Sequence, residues 1–268
     1  MTIEAGQHPA EQHAGDVDVA RSRATWAMIL LGLTAAQRAV TIPLTLWQSS
    51  LGDAVRRGEP PPQESLERSD QLIQLAGVAQ LALLVATGTL FLMWLHRTLK
   101  VTRALGGDTL RWTPKDAVWG FIIPFINITR PFQVMRDVHD HLAPEVLPEP
   151  PVQVQSSELS GYRGVEVKAP PPPVQLPHAS IGAWWGFFWV GNVFGNIAAR
   201  QTGTTIDAVL ARNALNAVSD AIDIVSAVLA IVVVRGVTAR LVERYRRARH
   251  NPVEALAAAG ITITDREP

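Results

Sequence analysis

Arg38, Asp220 and Asp223 are charged residues that stand inside otherwise apolar runs. A charge at the centre of a membrane helix costs ~2.5–3.5 kcal/mol on insertion scales, so it faces a partner or water. One guanidinium and two carboxylates can act as an ion or proton relay, or as an ion pair that fixes helix contacts. The structural role is the favoured one. Asn192 and Asn196 lie four residues apart and share a helical face. They can bond across helices or line a polar path, and packing is the commoner role. Together these five residues form a candidate intramembrane polar cluster. The stretch Asp137–Val138–His139–Asp140–His141 has metal-ligand residue types. On a helix, His139 and His141 point about 200° apart, so only Asp137 and His141 share a face. Two ligands do not make a site, and no metal is assigned. The chain has no cysteine, which removes disulfides, thiolate nucleophiles and Cys-based zinc or iron–sulfur sites. It also lacks a His-Glu-x-x-His pair, a P-loop, a Gly-x-Ser-x-Gly elbow and a dinucleotide fingerprint. No catalytic residue and no cofactor are assigned, and the balance leans away from an enzyme.

The elements that must position the polar residues are membrane helices. Charged residues make up 18% of the chain, against about 25% in a typical soluble domain, and they avoid long stretches altogether. A span needs about 20 largely apolar residues. Residues 24–47, 72–95, 181–199 and 215–234 meet that length, the first carrying Arg38 and the last Asp220 and Asp223. The run 117–128 is too short and holds Pro124, with Pro131 just beyond, so residues 117–138 read as a bent interfacial or re-entrant segment. Gly182/Gly186 and Gly191/Gly195 are Gly-x-x-x-Gly pairs that let another helix approach closely. The fold class is therefore all-α: an integral membrane bundle of four spans plus one bent Pro-containing segment.

The remaining segments follow. Residues 1–23 are polar and acidic, expected to be disordered and not a signal peptide. Residues 24–142 form a first membrane half, 143–180 a Pro-rich linker, 181–250 a second half ending in a basic juxtamembrane helix, and 251–268 a tail. Lys and Arg favour the cytoplasmic side of short loops, which places both termini on the cytoplasmic side of a cell (inner) membrane. Arg38 then lies past the midpoint of an outward span and the two aspartates in the outer half of the last one, so their depths agree. The arginines of Arg240–Arg249 suit anionic lipid headgroups, at about 1 kcal/mol per charge. Twenty-four basic and 24 acidic residues cancel, and no aromatic interleaving supports nucleic-acid binding. The expected partners are the lipid bilayer and a membrane or cytoplasmic protein.

Trp94–Leu95–His96–Arg97, Ala104–Leu105–Gly106, Trp112, and Val118–Trp119–Gly120–Phe121–Ile122–Ile123–Pro124 form a connected pattern. It continues through Asn127, Pro131, Met135 and Arg136 and resumes at Trp184–Trp185. The pattern resembles the family called domain of unknown function 4328, and extends more loosely to Arg247. Val101 stands where the family often has Asn, and the linker is longer than usual. The resemblance implies a bacterial multi-span membrane protein and implies no activity.

Pro124 and Pro131 remove backbone donors and turn Ile123 and Arg130 away from helix. Carbonyls freed at membrane depth must be satisfied by protein or water. Asn127 can donate to them, and Arg130 can hold a headgroup phosphate. The leading function class is a non-enzymatic scaffold or sensor-like membrane component. The alternative is a small transporter or channel using Arg38, Asp220 and Asp223. A continuous polar cavity reaching those residues favours transport, and a dry bundle with tight glycine contacts favours the scaffold.

Overall fold

The structure, a computed structural model, describes residues 14–105, 110–143 and 176–250, with side chains as far as Arg247. Most of the Pro-rich linker, the C-terminal tail and the first 13 residues lie outside the described residues. Six α-helices and one 3-10 turn, and no strand, occur among the described residues. They are α1 (Ala14–Arg56), α2 (Gln63–Ala104), α3 (Pro114–Ile122), α4 (Arg130–His141), α5 (His178–Ala199) and α6 (Ile206–His250), with the 3-10 turn Ile126–Ile128 between α3 and α4.

Helices α1, α2 and α6 are long and apolar enough to cross a membrane. At 1.5 Å per residue each runs about 60–70 Å, roughly twice the hydrocarbon thickness, so each projects well beyond a bilayer. Helix α5, expected as a span at 181–199, is not among the three. Gly182, Gly186, Gly191 and Gly195, the indoles Trp184, Trp185 and Trp189, and Asn192 with Asn196 dilute its aliphatic content.

Of the start expected to be disordered, residues 14–23 are helical, and residues 1–13 lie outside the described residues. Helix α1 begins at Ala14, ten residues before the apolar run. Val17, Ala20, Ala24 and Ala27 are buried at helical spacing, so the start carries a packed face of small residues. Asp16 pairs with Arg97, and Lys100 Nζ lies 3.2 Å from the same carboxylate.

Helix α1 packs between α2 and α6, and α6 packs between α1 and α5. The start of α1, the ends of α2 and α6 and the start of α5 meet at one end of the bundle, joined by Asp16–Arg97, by Trp94 Nε1 donating to Thr238 Oγ1 at 3.1 Å, and by Phe91 against Trp184 at 5.7 Å. The main buried core sits at that end: Trp94, Leu95, Leu99, Met135, Ile181, Val234, Val237 and Leu241 are essentially inaccessible. The other half of the bundle shows the reverse pattern. Val40, Leu75, Val78, Leu81, Leu84 and Val85 are each 60–69% exposed. A contiguous apolar belt of that kind calls for an apolar solvent around it.

The bent segment is two short helices around a break. Thr113 caps α3, accepting from the Asp116 N–H at 3.2 Å, with Pro114 in the first turn. After Ile122 the chain turns through Pro124 and Phe125, the latter at φ 66° and 87% exposed. A bulky residue with positive φ is strained. Helix α4 then buries Pro131, Val134, Met135, Val138 and His139 along one face.

Candidate functional site

The central layer is built from α1 and α6. Arg38 projects from mid-α1 with its Nη1 2.5 Å from Asp220 Oδ1 and its Nη2 2.9 Å from Asp223 Oδ2. The Arg38 and Asp220 side chains are 15% and 5% exposed. Two carboxylates thus face one guanidinium, which leaves one negative charge uncompensated when both are ionised. Arg38 Nε is buried without a hydrogen-bond partner.

The layer extends across the bundle. On the α2 side, Gln37 Nε2 donates to Thr41 Oγ1 at 2.9 Å and to the Ala76 carbonyl at 3.3 Å. Thr34 and Thr87 hydroxyls lie 3.4 Å apart. On the α5 side, Ser219 Oγ donates to the Gly191 carbonyl at 3.0 Å. A Cβ placed on Gly191 would come within 2.3 Å of Asp223 Oδ1, and one on Gly195 within 3.2 Å of Ser219 Oγ. Glycine is what brings α5 onto the charged layer. Gly182 and Gly186 do not share that role: the first meets only the Phe132 ring at 3.8 Å, and the second meets nothing within 4 Å.

Asn192 and Asn196 are not drawn into the cluster. Each donates back along α5, to the carbonyls of Phe188 and Asn192 at 2.8 Å. Their shared face is real, but their amides are used locally. A second polar row stands nearer the other end of α1. Gln48 Nε2 donates to Asp70 Oδ1 at 3.1 Å, and buried Asn213 donates to Gln48 Oε1 at 3.2 Å. An open cleft of about 410 Å³ lies close by, lined by Trp47, Glu64, Ser65, Arg68 and Leu72. Arg38 does not line it.

The motif residues gather at the packed end. Trp94 is buried and bonded to Thr238. Arg97 holds Asp16. Met135 and Pro131 are buried in α4. Trp184 and Trp185 lie in an aromatic group with Phe91 and Phe121. Trp119 and Pro124 are exposed at the break. The carbonyl of Ile128, freed by the break, accepts from Trp185 Nε1 at 2.8 Å. The indole takes the part expected of Asn127, which contributes its backbone N–H to the Ile123 carbonyl at 3.0 Å. Arg130 lies 4.6 Å from the Trp112 ring centroid, and Arg111 lies 4.7 Å from the same ring. Gly120 lets the Arg130 stem pass, since a Cβ there would stand 2.6 Å from Arg130 Cδ.

Two arginines expected at the lipid surface turn inward. Arg240 is 8% exposed and donates to the carbonyls of His139 at 3.3 Å and Leu176 at 3.2 Å. Arg244 donates to the carbonyl of His141. Both satisfy carbonyls in the last turn of α4, which no intrahelical N–H reaches. Helix geometry puts only Asp137 and His141 of this segment on one face, which is too few ligands for a metal site. The fold brings His178, the first residue of α5, to His139 and Asp140.

The described residues form an all-helical protein, and three of its six helices are long and apolar enough to cross a bilayer. The chain belongs to the family described as Domain of unknown function (DUF4328), and the match covers residues 57–239. It includes Asp220 and Asp223, leaves Arg38 outside, and stops short of Arg247. No curated protein and no solved structure matches the chain.

Proposed function

We propose that this chain is a four-span integral membrane protein of a bacterial inner membrane, with both termini cytoplasmic. It works as a non-enzymatic scaffold or sensor-like component through contacts with membrane or cytoplasmic proteins. Helix α5 is the fourth span: its 22 residues reach about 33 Å, enough for the hydrocarbon core, and no charge falls between His178 and Arg200. The bent segment rests at the inner leaflet, supported by the outward apolar side chains of Trp119, Ile122, Ile123, Phe125 and Ile128. Exposed Arg235 and the Arg111–Trp112–Arg130 stack favour anionic headgroups nearby.

The observation that carries the scaffold reading is the seat of α5 on Asp223. With Gly191 backbone against the carboxylate and Ser219 bonded across, the charged layer serves as a joint between helices. The uncompensated carboxylate favours the second reading, a small proton or cation transporter. Reconstitution in liposomes separates the two. The scaffold reading expects no proton or cation uptake above protein-free vesicles. It expects Arg38→Gln alone to lower the membrane-inserted yield, and the neutral triple variant Arg38→Gln/Asp220→Asn/Asp223→Asn to recover it. Uptake by the wild type that the triple variant abolishes would replace the scaffold with the transporter.

A further inference from the structure

His139 and Asp140 occupy the last turn of α4, and His178 opens α5. His139 Nδ1 lies 3.0 Å from Asp140 Oδ1, and His178 Nε2 lies 3.3 Å from the same oxygen. One ligand atom from each of the three residues falls within 4.8 Å of the others.

The buried ring fixes the chemistry. His139 is 2% exposed, and its Nε2 is 2.7 Å from the Leu176 carbonyl oxygen. A carbonyl only accepts, so Nε2 carries the hydrogen. In the neutral ring Nδ1 then presents a lone pair, and that lone pair faces the Asp140 carboxylate. Two acceptors at 3.0 Å repel unless a cation shared by both stands between them; the Arg240 guanidinium attracts Asp140 but donates to the His139 and Leu176 carbonyls. A proton would satisfy that pair alone. A hydrogen on His178 Nε2 would satisfy its contact as well, and with the second imidazole on the same oxygen three ligand atoms converge where one metal ion can replace both protons.

The surroundings are those of a supported ligand. A carbonyl on the far nitrogen of a metal-binding histidine sets its tautomer and orientation. Leu176 is itself pinned: its side chain seats against Gly236 of α6, where a Cβ would stand 3.0 Å away, and Arg240 donates to its carbonyl. Bonds of about 2.0–2.2 Å in a tetrahedral site put neighbouring donor atoms roughly 3.3–3.5 Å apart. The edges of 3.0 and 3.3 Å are close to that. The third edge closes by rotation of His178, whose side chain is 64% exposed.

We propose that His139 Nδ1, Asp140 Oδ1 and His178 Nε2 bind one divalent transition-metal ion of the zinc type. Two imidazoles and a carboxylate suit such ions better than calcium or magnesium, which take oxygen ligands. A fourth position stays open to water or a further ligand. The ion ties the end of α4 to the start of α5, joining the two membrane halves at the packed end.

The test uses the full-length, tag-free protein in detergent, stripped with chelator and titrated with Zn²⁺ by calorimetry. One ion per chain is expected, with a rise in melting temperature that chelator reverses. His178→Ala and Asp140→Asn, both at accessible positions, should each bind at least tenfold more weakly while melting like the stripped wild type. His141→Ala, whose Nδ1 lies 2.8 Å from the Asp137 carbonyl oxygen, should bind as the wild type does. Equal affinity in the wild type and both ligand variants, or several weak ions per chain, would overturn the site.

Discussion

At Gly191 the absence of a side chain decides whether two helices meet. Gly191→Ala would force a methyl group into Asp223, and overpacking of this kind costs typically ~1–3 kcal/mol. We expect the variant to lose about that much stability in detergent, seen as a lower melting temperature. Gly186→Ala, with open space around it, should stay within about 0.5 kcal/mol. Sequence spacing names both glycines as helix-contact residues but cannot tell which pair faces a neighbour, because that depends on the rotation of α5. Arg38 with Asp220 and Asp223 was legible for a different reason. Charges in apolar runs are expensive, so their depths must agree, and depth can be counted along a helix. His178 gave no such signal. It is separated from Asp140 by a Pro-rich linker, and no periodicity crosses such a segment. Arg240 and Arg244 carried a signal that pointed the wrong way, since a basic run after a span reads as a lipid contact until the carbonyls beside it are known.

The break between α3 and α4 was readable as an element because proline removes a donor wherever it stands. Its support was not, since the indole that reaches the Ile128 carbonyl comes from α5. Trp185→Phe keeps the ring in the aromatic group and removes the donor. We expect a loss of about 1 kcal/mol, seen as a lower melting temperature, with faster proteolysis confined to residues 123–130. The first turns of α1 teach the opposite lesson. Their polar composition suggested disorder, yet the small residues at positions 17, 20, 24 and 27 form a buried stripe. Asp16 holds its place through a partly exposed pair, and such pairs are worth about 0.2–1 kcal/mol. Asp16→Asn should therefore loosen residues 14–23, measurable as faster amide exchange there with little change in the global melt.

Across the whole molecule, packing and exposure divide along the long axis. The end that gathers α1, α2, α4, α5 and α6 is dense, and the opposite half relies on its surroundings to cover its apolar residues. The length and sparse charge of the apolar runs made the exposed belt legible in the sequence as candidate spans, whereas the dense end depends on contacts between helices that no run reveals. The family pattern concentrates at the dense end for the matching reason: indoles, prolines and small residues at fixed spacings build a joint that tolerates few alternatives. The absence of cysteine makes the orientation simple to measure. Cysteines introduced at exposed Glu59 and Gln201 should react with an impermeant maleimide on intact cells. One at exposed Lys115 should react only after the membrane is opened. The reverse pattern would invert the proposed orientation. The pairing of Arg38 with Asp220 spans 182 positions of chain, and that separation is also an interval of time. At about 5–20 residues per second, the arginine waits roughly 10–35 s in the nascent protein before its carboxylates are made. In the proposed membrane arrangement the first helix enters the bilayer carrying a charge that the last helix answers, so chains cut short after α2 should be cleared by quality control while the finished protein persists.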